Sequence, residues 1–239
     1  MDKDNAVRFI NSYNTIDRSL RALYNFKRNI SFSDVIRQSV AQSSLIRKYE
    51  DDLIDYSRLR NAIIHGGDDQ FVIAEPHDDV VEKIENIAKL ISTPPLALQT
   101  LHKGAVLTVT HDTKIKEVIS MISSTGYSNI PVYKEGILLG VANANRIMKI
   151  FGHVLNKNIN AEKYLSETNI EDVVAQNDYD TYYSIADCLL TLEYAINMFD
   201  KNRKLTSIII TKTGTKSEKA LGIITTADIL DMNKILENY

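Results

Sequence analysis

Apolar residues recur at three- and four-residue intervals through the first 91 positions, and then the rhythm changes. Phe9, Ile10, Tyr13, Ile16, Leu20, Leu23 and Tyr24 predict one or two amphipathic helices parted near Ser12 and Asn14. Ser31 or Ser33 can cap the next helix, whose apolar positions continue through Val35, Ile36, Val40, Leu45, Ile46 and Tyr49. A further stretch holds Leu53, Ile54, Tyr56, Leu59, Ile63 and Ile64. It stops at Gly66-Gly67, where glycine gives the backbone freedom of a helix exit. Asp78 and Asp79 then place negative charge at the start of a helix through Val80, Val81, Ile84, Ile87, Ala88 and Ile91. The pattern amounts to about four principal helices, enough to bury their apolar stripes against one another or across a dimer interface. Ser92-Thr93-Pro94-Pro95 interrupts it and marks a boundary.

Beyond that boundary short strand patterns alternate with short helices. Val106–Val109, Ile130–Tyr133 and Ile137–Ala142 read as strands, Ile115–Ser123 as a helix after the first, and Arg146, Ile147 and Ile150 as part of a helix after the third. The same β-α-β-β-α order returns. Tyr183–Ala186 begins it, a helix through Leu192, Ala195, Ile196 and Phe199 follows, then strands over Thr206–Thr211 and Ala220–Thr225 and a helix from Ala227 toward Leu236. The charged segment Lys212–Lys219 reads as a mobile hairpin loop. Two such units pack around a pseudo-twofold axis and make related clefts suited to small ligands. The expected division is a helical domain over 1–91, a linker over 92–104, one repeat over 105–155, a connecting segment over 156–179 and a second repeat over 180–239. The connecting segment holds a short helix near Ala161–Leu165 with no evident partner.

Composition narrows the function classes. The 239 residues are 44% hydrophobic and 25% charged, an ordinary globular mixture that excludes disorder throughout. A formal charge of -3 argues against a broadly basic nucleic-acid surface, although a local patch fits within a neutral total. The single cysteine, Cys188, excludes an intramolecular disulfide framework and indicates a reducing compartment. No apolar run approaches the length of a membrane span and the amino terminus lacks a signal-peptide pattern, so a cytoplasmic protein without membrane association is expected. Asp51, Asp52 and Asp55 do not close a metal-ligand set, and surface ion pairing is the simpler account of them; no metal site is expected.

The sharpest local signal is Gly222-Ile223-Ile224-Thr225-Thr226-Ala227-Asp228, placed where a strand passes into a helix. Gly222 permits close backbone approach, Thr225 offers a hydroxyl, and Asp228 a carboxylate one turn later that can accept from both hydroxyls of a ribose. The same residues also suit a helix cap, Thr225 or Thr226 at the N-cap and Asp228 in the first turn. The corresponding stretch of the first repeat is Gly140-Val141-Ala142-Asn143-Ala144-Asn145-Arg146. Arg146 cannot accept the ribose donors but can meet a phosphate, and Asn143 can hydrogen-bond. Arg146 reads equally well as a solvated helix residue.

The doubled pattern, with Ser128-Asn129-Ile130-Pro131-Val132 and the glycine-led segment, resembles tandem cystathionine-β-synthase-type (CBS) domains over roughly residues 96–239. The resemblance implies an adenosine-containing ligand between the repeats: AMP, ADP, ATP, S-adenosylmethionine or cyclic di-AMP. It makes Asp228 the ribose-binding acid and Thr225 its nearby hydroxyl. Gly222, Asn143, Arg146, Ser128, Asn129 and Ile130 complete the candidate set, with Val132, Ile208 and Ile210 as further apolar walls. Because the first repeat departs from the pattern, one site, or an asymmetric site for a more anionic ligand, is expected rather than two equivalent ones.

In the helical domain, Arg60-Asn61-Ala62-Ile63-Ile64-His65 ends a helix. Five residues subtend about 140° on an ideal helix, so Arg60 and His65 share a face only through a distorted last turn or a second subunit. The motif and the helical arrangement of residues 1–91 resemble a HEPN domain, many members of which are dimeric, metal-independent endoribonucleases while others bind or interact without catalysis. The resemblance implies that His65 would move a proton at an RNA 2′-hydroxyl, Arg60 would stabilise phosphate charge, and Asn61 would orient one of them. The alternative is a helix end and dimer interface without chemistry. The fold class is therefore α+β, a four-helix HEPN-like bundle followed by a tandem CBS module. The leading functional expectation is a homodimeric adenine-nucleotide sensor. A nucleotide-regulated ribonuclease with RNA as a partner and a purely structural dimerisation protein stand beside it, which leaves enzymatic activity open.

Overall fold

The computed structural model describes residues 4–64, 74–101, 104–174 and 182–239. It divides into two compact units, one formed by the chain up to Pro95 together with Asn233–Tyr239, the other by Leu96–Met232.

The first unit is helical among the described residues. Of the one or two helices expected here the structure has one: α1 runs unbroken from Asp4 to Tyr24, because neither Ser12 nor Asn14 interrupts the buried stripe of Phe9, Tyr13, Ile16 and Leu20. α2 (Phe32–Ser39) starts at Ser31, whose hydroxyl oxygen accepts the Asp34 amide, and α3 (Ser44–Lys48) starts at Ser43, which accepts the Ile46 amide. α4 (Glu50–Ile64) and α5 (Asp78–Ser92) complete a core that includes Phe9, Ile16, Ile36, Ile46, Leu53, Ile84 and Ile87. Polar contacts then fix α5 in place. Arg8 on α1 grips Glu85 with two guanidinium nitrogens at 2.9 and 2.7 Å, and Lys83 meets Asp52 of α4 at 2.7 Å. Asp52 and Asp55 are thus engaged in ion pairs, the latter with Arg58. Tyr239 closes against the same unit: Lys89 Nζ lies 4.2 Å from its ring centroid and donates to its carbonyl oxygen, and its hydroxyl donates to the Thr93 carbonyl.

The second unit contains two three-stranded sheets of identical plan. In the first, β1 (Val109–Thr110) runs parallel to β2 (Asn129–Lys134), which pairs antiparallel with β3 (Ile137–Asn143). In the second, β4 (Tyr183–Ala186) runs parallel to β5 (Ser207–Ile210), which pairs antiparallel with β6 (Gly222–Thr225). α7 (Ile115–Thr125) and α11 (Leu192–Lys201) make the parallel crossovers, α8 (Ala144–Asn156) leaves β3, and a 3-10 turn over Thr226–Asp228 leads from β6 into α12 (Ile229–Glu237). The first strand, expected over Val106–Val109, lies later and is shorter: of those residues only Val109 pairs, and Thr110 completes the strand. The isoleucine run of β5 is buried on both faces, which suits β-branched residues in a covered sheet.

Two helices join the sheets in a way the repeat pattern does not announce. Residues 92–104, read as a linker, contain α6 (Ala97–Leu101), which packs on β6 of the second sheet. In the connecting segment, α9 (Ala161–Glu167) is followed by α10 (Ile170–Val174), and α10 packs on β2 and β3 of the first sheet although it leads into β4. The attachments mirror one another. The Ala97 amide donates to the Leu190 carbonyl at 2.8 Å and the Ile170 amide to the Thr113 carbonyl at 2.8 Å. Each sheet is therefore covered by the helix that precedes the other repeat. Gly140 makes room for this packing: a Cβ there would stand 3.2 Å from the Val174 Cβ and 3.6 Å from the Tyr182 hydroxyl.

The sheets also meet directly, through Leu138 and Val141 of one and Ile209 and Ala220 of the other. The segment Lys212–Lys219, expected as a mobile hairpin loop, is anchored at several points. The Leu138 amide donates to the Lys216 carbonyl, the Tyr133 hydroxyl donates to the Glu218 carbonyl and accepts from the Ala220 amide, and the Glu218 carboxylate accepts the Thr213 amide at 2.7 Å. The last bond is the main cause holding the Glu218 carboxyl below its ordinary pKa.

Candidate functional site

Both repeats end their third strand in an N-cap, and the strand registers make the two junctions equivalent. Asn129 pairs with Asn143 across the first sheet and Ser207 pairs with Thr225 across the second. Cross-strand partners project from the same face of a sheet, so each junction presents a pair of polar side chains beside a helix start.

In the first repeat this pair is amide with amide. Asn143 Oδ1 accepts the Asn145 and Arg146 amides at 3.0 and 3.2 Å, and its Nδ2 donates to Asn129 Oδ1 at 2.8 Å. Asn129 Oδ1 also accepts the Thr206 hydroxyl, and Asn129 Nδ2 donates to the Ser128 hydroxyl. Both asparagines are buried, so their polar atoms serve the cap and the link to the second repeat. Ser128 is exposed, whereas Ile130 is fully buried in the core of the first repeat with Val118, Val132 and Ile170. Arg146 stands one turn into α8, with its guanidinium carbon 4.2 Å from the Tyr182 ring centroid.

In the second repeat the pair is hydroxyl with hydroxyl. Asp228 Oδ2 accepts the Thr225 amide at 2.7 Å and the Thr225 hydroxyl at 3.0 Å, which fixes the carboxylate over the strand end. Thr225 and Asp228 are both half-buried, and Gly222 is buried opposite Ile210. Ser207 is fully buried, and its hydroxyl has no partner among the described residues. Sequence reasoning passed over Ser207; the signal that finds it is the register, which sets it opposite Thr225 just as Asn129 sits opposite Asn143. Ile208 and Ile210 are buried as well.

In the helical unit, Arg60 Nη1 donates to Asn61 Oδ1 at 3.3 Å, and the guanidinium lies 5.9 Å from the Tyr13 ring centroid. Its Nε is buried without a partner among the described residues. Burial pushes the Tyr13 phenol pKa up, against the opposing influence of a hydrogen bond with Ser57. His65 lies outside the described residues, as do Gly66 and Gly67. No described helix is long and apolar enough to cross a membrane.

Residues 88–153 match the model of the CBS domain family, so the chain carries a CBS domain over its first β-α-β-β-α unit. No curated protein matches the sequence. Among solved structures, the chain is similar to the CBS domain pair of protein MJ0100 in complex with 5′-methylthioadenosine and S-adenosyl-L-methionine. Identity there is 16%, over 59% of this chain and 97% of that one, at a TM-score of 0.41. It is also similar to the CBS domain of a bacterial CNNM/CorC family Mg2+ transporter in complex with ATP, with 17% identity over 63% and 94% of the two chains and a TM-score of 0.44. A CBS domain-containing protein from Kribbella flavida shares 13% identity over 59% and 99%, with a TM-score of 0.46.

Proposed function

We propose that the second unit is a sensor for an adenine-containing nucleotide, held at the β6–α12 junction by Asp228, Thr225 and the strand end at Gly222. The observation that carries this reading is the asymmetry of the two junctions. Asn143 and Asn129 spend their polar atoms on one another and on a cap, and Arg146 has no acceptor to offer a ribose. Thr225 instead holds a carboxylate by one oxygen, Oδ2, and Ser207 brings a buried hydroxyl without a partner among the described residues to the same face. A ligand that donates two hydroxyls suits the second junction and not the first, so one adenosine site per chain is the expected stoichiometry. Ser128 and Arg146 would contribute only to an asymmetric ligand that reaches the first junction. The repeats taken as 105–155 and 180–239 form the sensing module, and ligand binding shifts the population of the helical domain over 1–91 within a cytoplasmic homodimer.

The test is a thermal-shift panel of AMP, ADP, ATP, S-adenosylmethionine and cyclic di-AMP. A ligand present at a hundred times its Kd stabilises the folded state by about 2.7 kcal/mol through mass action. At least one member should raise the melting temperature of the wild type and fail to do so for Asp228→Asn. A flat panel overturns the reading.

A second reading, a HEPN-like ribonuclease controlled by the same ligand, is favoured by Arg60. A guanidinium Nε that is buried and without a partner among the described residues suits an incoming anion at this helix end. RNA cleavage without added metal, lost in both Arg60→Ala and His65→Ala while the fold persists, is its expected signature; uncleaved RNA overturns this second reading.

A further inference from the structure

α8 carries a row of basic side chains of which only Arg146 enters the reading of the two junctions. Arg146, Lys149, His153 and Lys157 follow one another at intervals of three, four and four, and at about 100° per residue they fall within an arc of roughly 80°. They form a cationic stripe about 16 Å long on one side of the helix. The chain then turns back through Asn158, whose φ of 55° is in the left-handed region that asparagine tolerates, and brings Ile159 and Tyr164 of α9 alongside. The result is a groove of about 360 Å³ lined by Arg146, Lys149, Lys157 and His153 and by Ile150, Val154, Ile159 and Tyr164. Lys149, His153 and Lys157 are exposed, and the ion pairs on the neighbouring elements, Lys116 with Glu162 and Lys134 with Glu171, do not involve them.

A helix C-terminus attracts cations, which accounts for His153 and Lys157 near the end of α8. It does not account for Lys149 in the middle of the helix, while Arg146 in the first turn is held against the Tyr182 ring, 4.2 Å from its centroid. Nor does it explain why the stripe faces a concavity. We propose that this groove binds a small organic polyphosphate, with its phosphate chain along the stripe and its less polar body against Ile150, Ile159 and Tyr164. Three cations in a row, with the His153 ring between two of them, match an anion carrying several charges in line and exceed what a single carboxylate or phosphate can pair. The volume falls in the range of small-molecule pockets, about 300 to 1,000 Å³. The chain's net charge of -3 favours a compact anion over a long nucleic acid. This site does not depend on the proposal for Asp228 and holds whether or not that junction takes adenosine.

The experiment is calorimetric titration of inorganic tripolyphosphate into the full chain at low salt, repeated with Lys149→Glu/Lys157→Glu and with Asp228→Ala. Saturable one-to-one binding is expected, weakened by about tenfold or more in the double variant, since each exposed pair contributes up to about 1 kcal/mol and reversal adds repulsion. Asp228→Ala should bind as the wild type does. Circular dichroism verifies the fold, and Lys149→Gln/Lys157→Gln should show a smaller loss in the same direction. Absence of saturable binding overturns the proposal, as does binding indifferent to both lysine pairs or binding lost only in Asp228→Ala. Tighter, lysine-dependent capture of a short single-stranded RNA than of tripolyphosphate overturns the assignment to a small anion.

Discussion

Asp228 has two tasks that substitution can separate. As the cap of the helix start it accepts two bonds from Thr225, and Asp228→Ala should cost about 1 kcal/mol in a chemical denaturation series. Asp228→Asn retains an acceptor oxygen and most of that stability, yet loses the charge that a ribose clamp requires. If both variants lose ligand stabilisation while only the alanine variant loses intrinsic stability, capping and recognition are distinct. Tyr56 offers a further single-residue test. Burial, assisted by the nearby Asp52 and Asp79 charges, pushes its pKa from 10.0 up to about 12. A raised folded-state value means that its contribution to stability is complete below pH 10 and is lost as pH rises toward 12. Melting temperatures followed from pH 8 upward should therefore fall less steeply for Tyr56→Phe than for the wild type. The sequence exposed Asp228, Thr225 and Arg146 because unusual residues stood at corresponding places in a repeat. It hid Ser207, since a serine acquires meaning only when the register sets it opposite Thr225, and it offered Asn143 as a hydrogen-bonding ligand residue without showing that the side chain caps α8.

At the scale of elements, both β-α-β-β-α units were legible because buried strands and crossover helices differ in period, and Tyr183–Ala186 emerged with the ends read from the sequence. α6 and α10 were not legible. Five residues give too short a window for periodicity, and their burial arises from a distant sheet rather than a neighbour in sequence. The Lys212–Lys219 segment misled for a related reason: its charges suggested a solvated loop, whereas its backbone and Glu218 make the contacts that hold it. Two outcomes follow. Tyr133→Phe strands the Glu218 carbonyl and the Ala220 amide, and should lower stability by about 1 to 3 kcal/mol in denaturant titration. Glu218 has a depressed folded-state pKa, so its contribution is present above the ordinary carboxylate range and is lost as pH falls through the folded value. Amides around Thr213 should lose protection from hydrogen exchange there, after correction for intrinsic rates, while Glu218→Gln shows no such acid step.

For the molecule as a whole, the important fact is that neither repeat owns all of its core. Ile170 and Val173 of α10 are buried with the first sheet, and Ile209 of the second sheet is buried against Leu138 and Val141 of the first. The two repeats should consequently unfold together. Ile209→Ala removes a fully buried side chain and should cost about 2 to 5 kcal/mol. Exchange measured in both sheets will show accelerated opening in each if they are coupled, and in β5 and its neighbours alone if they are not.

The exchange of leading helices also sets an order of events at the ribosome. α10 follows the sheet it covers, so the first sheet gains that cover once the chain has been made as far as Val174. α6 precedes β6, the strand it packs on, by roughly 120 residues, which at ribosomal rates is on the order of ten seconds during which α6 lacks that strand. A nascent chain paused before β6 would carry a first sheet already covered by α10 and a helix, α6, still without its strand, which a chain further along the same message would hold.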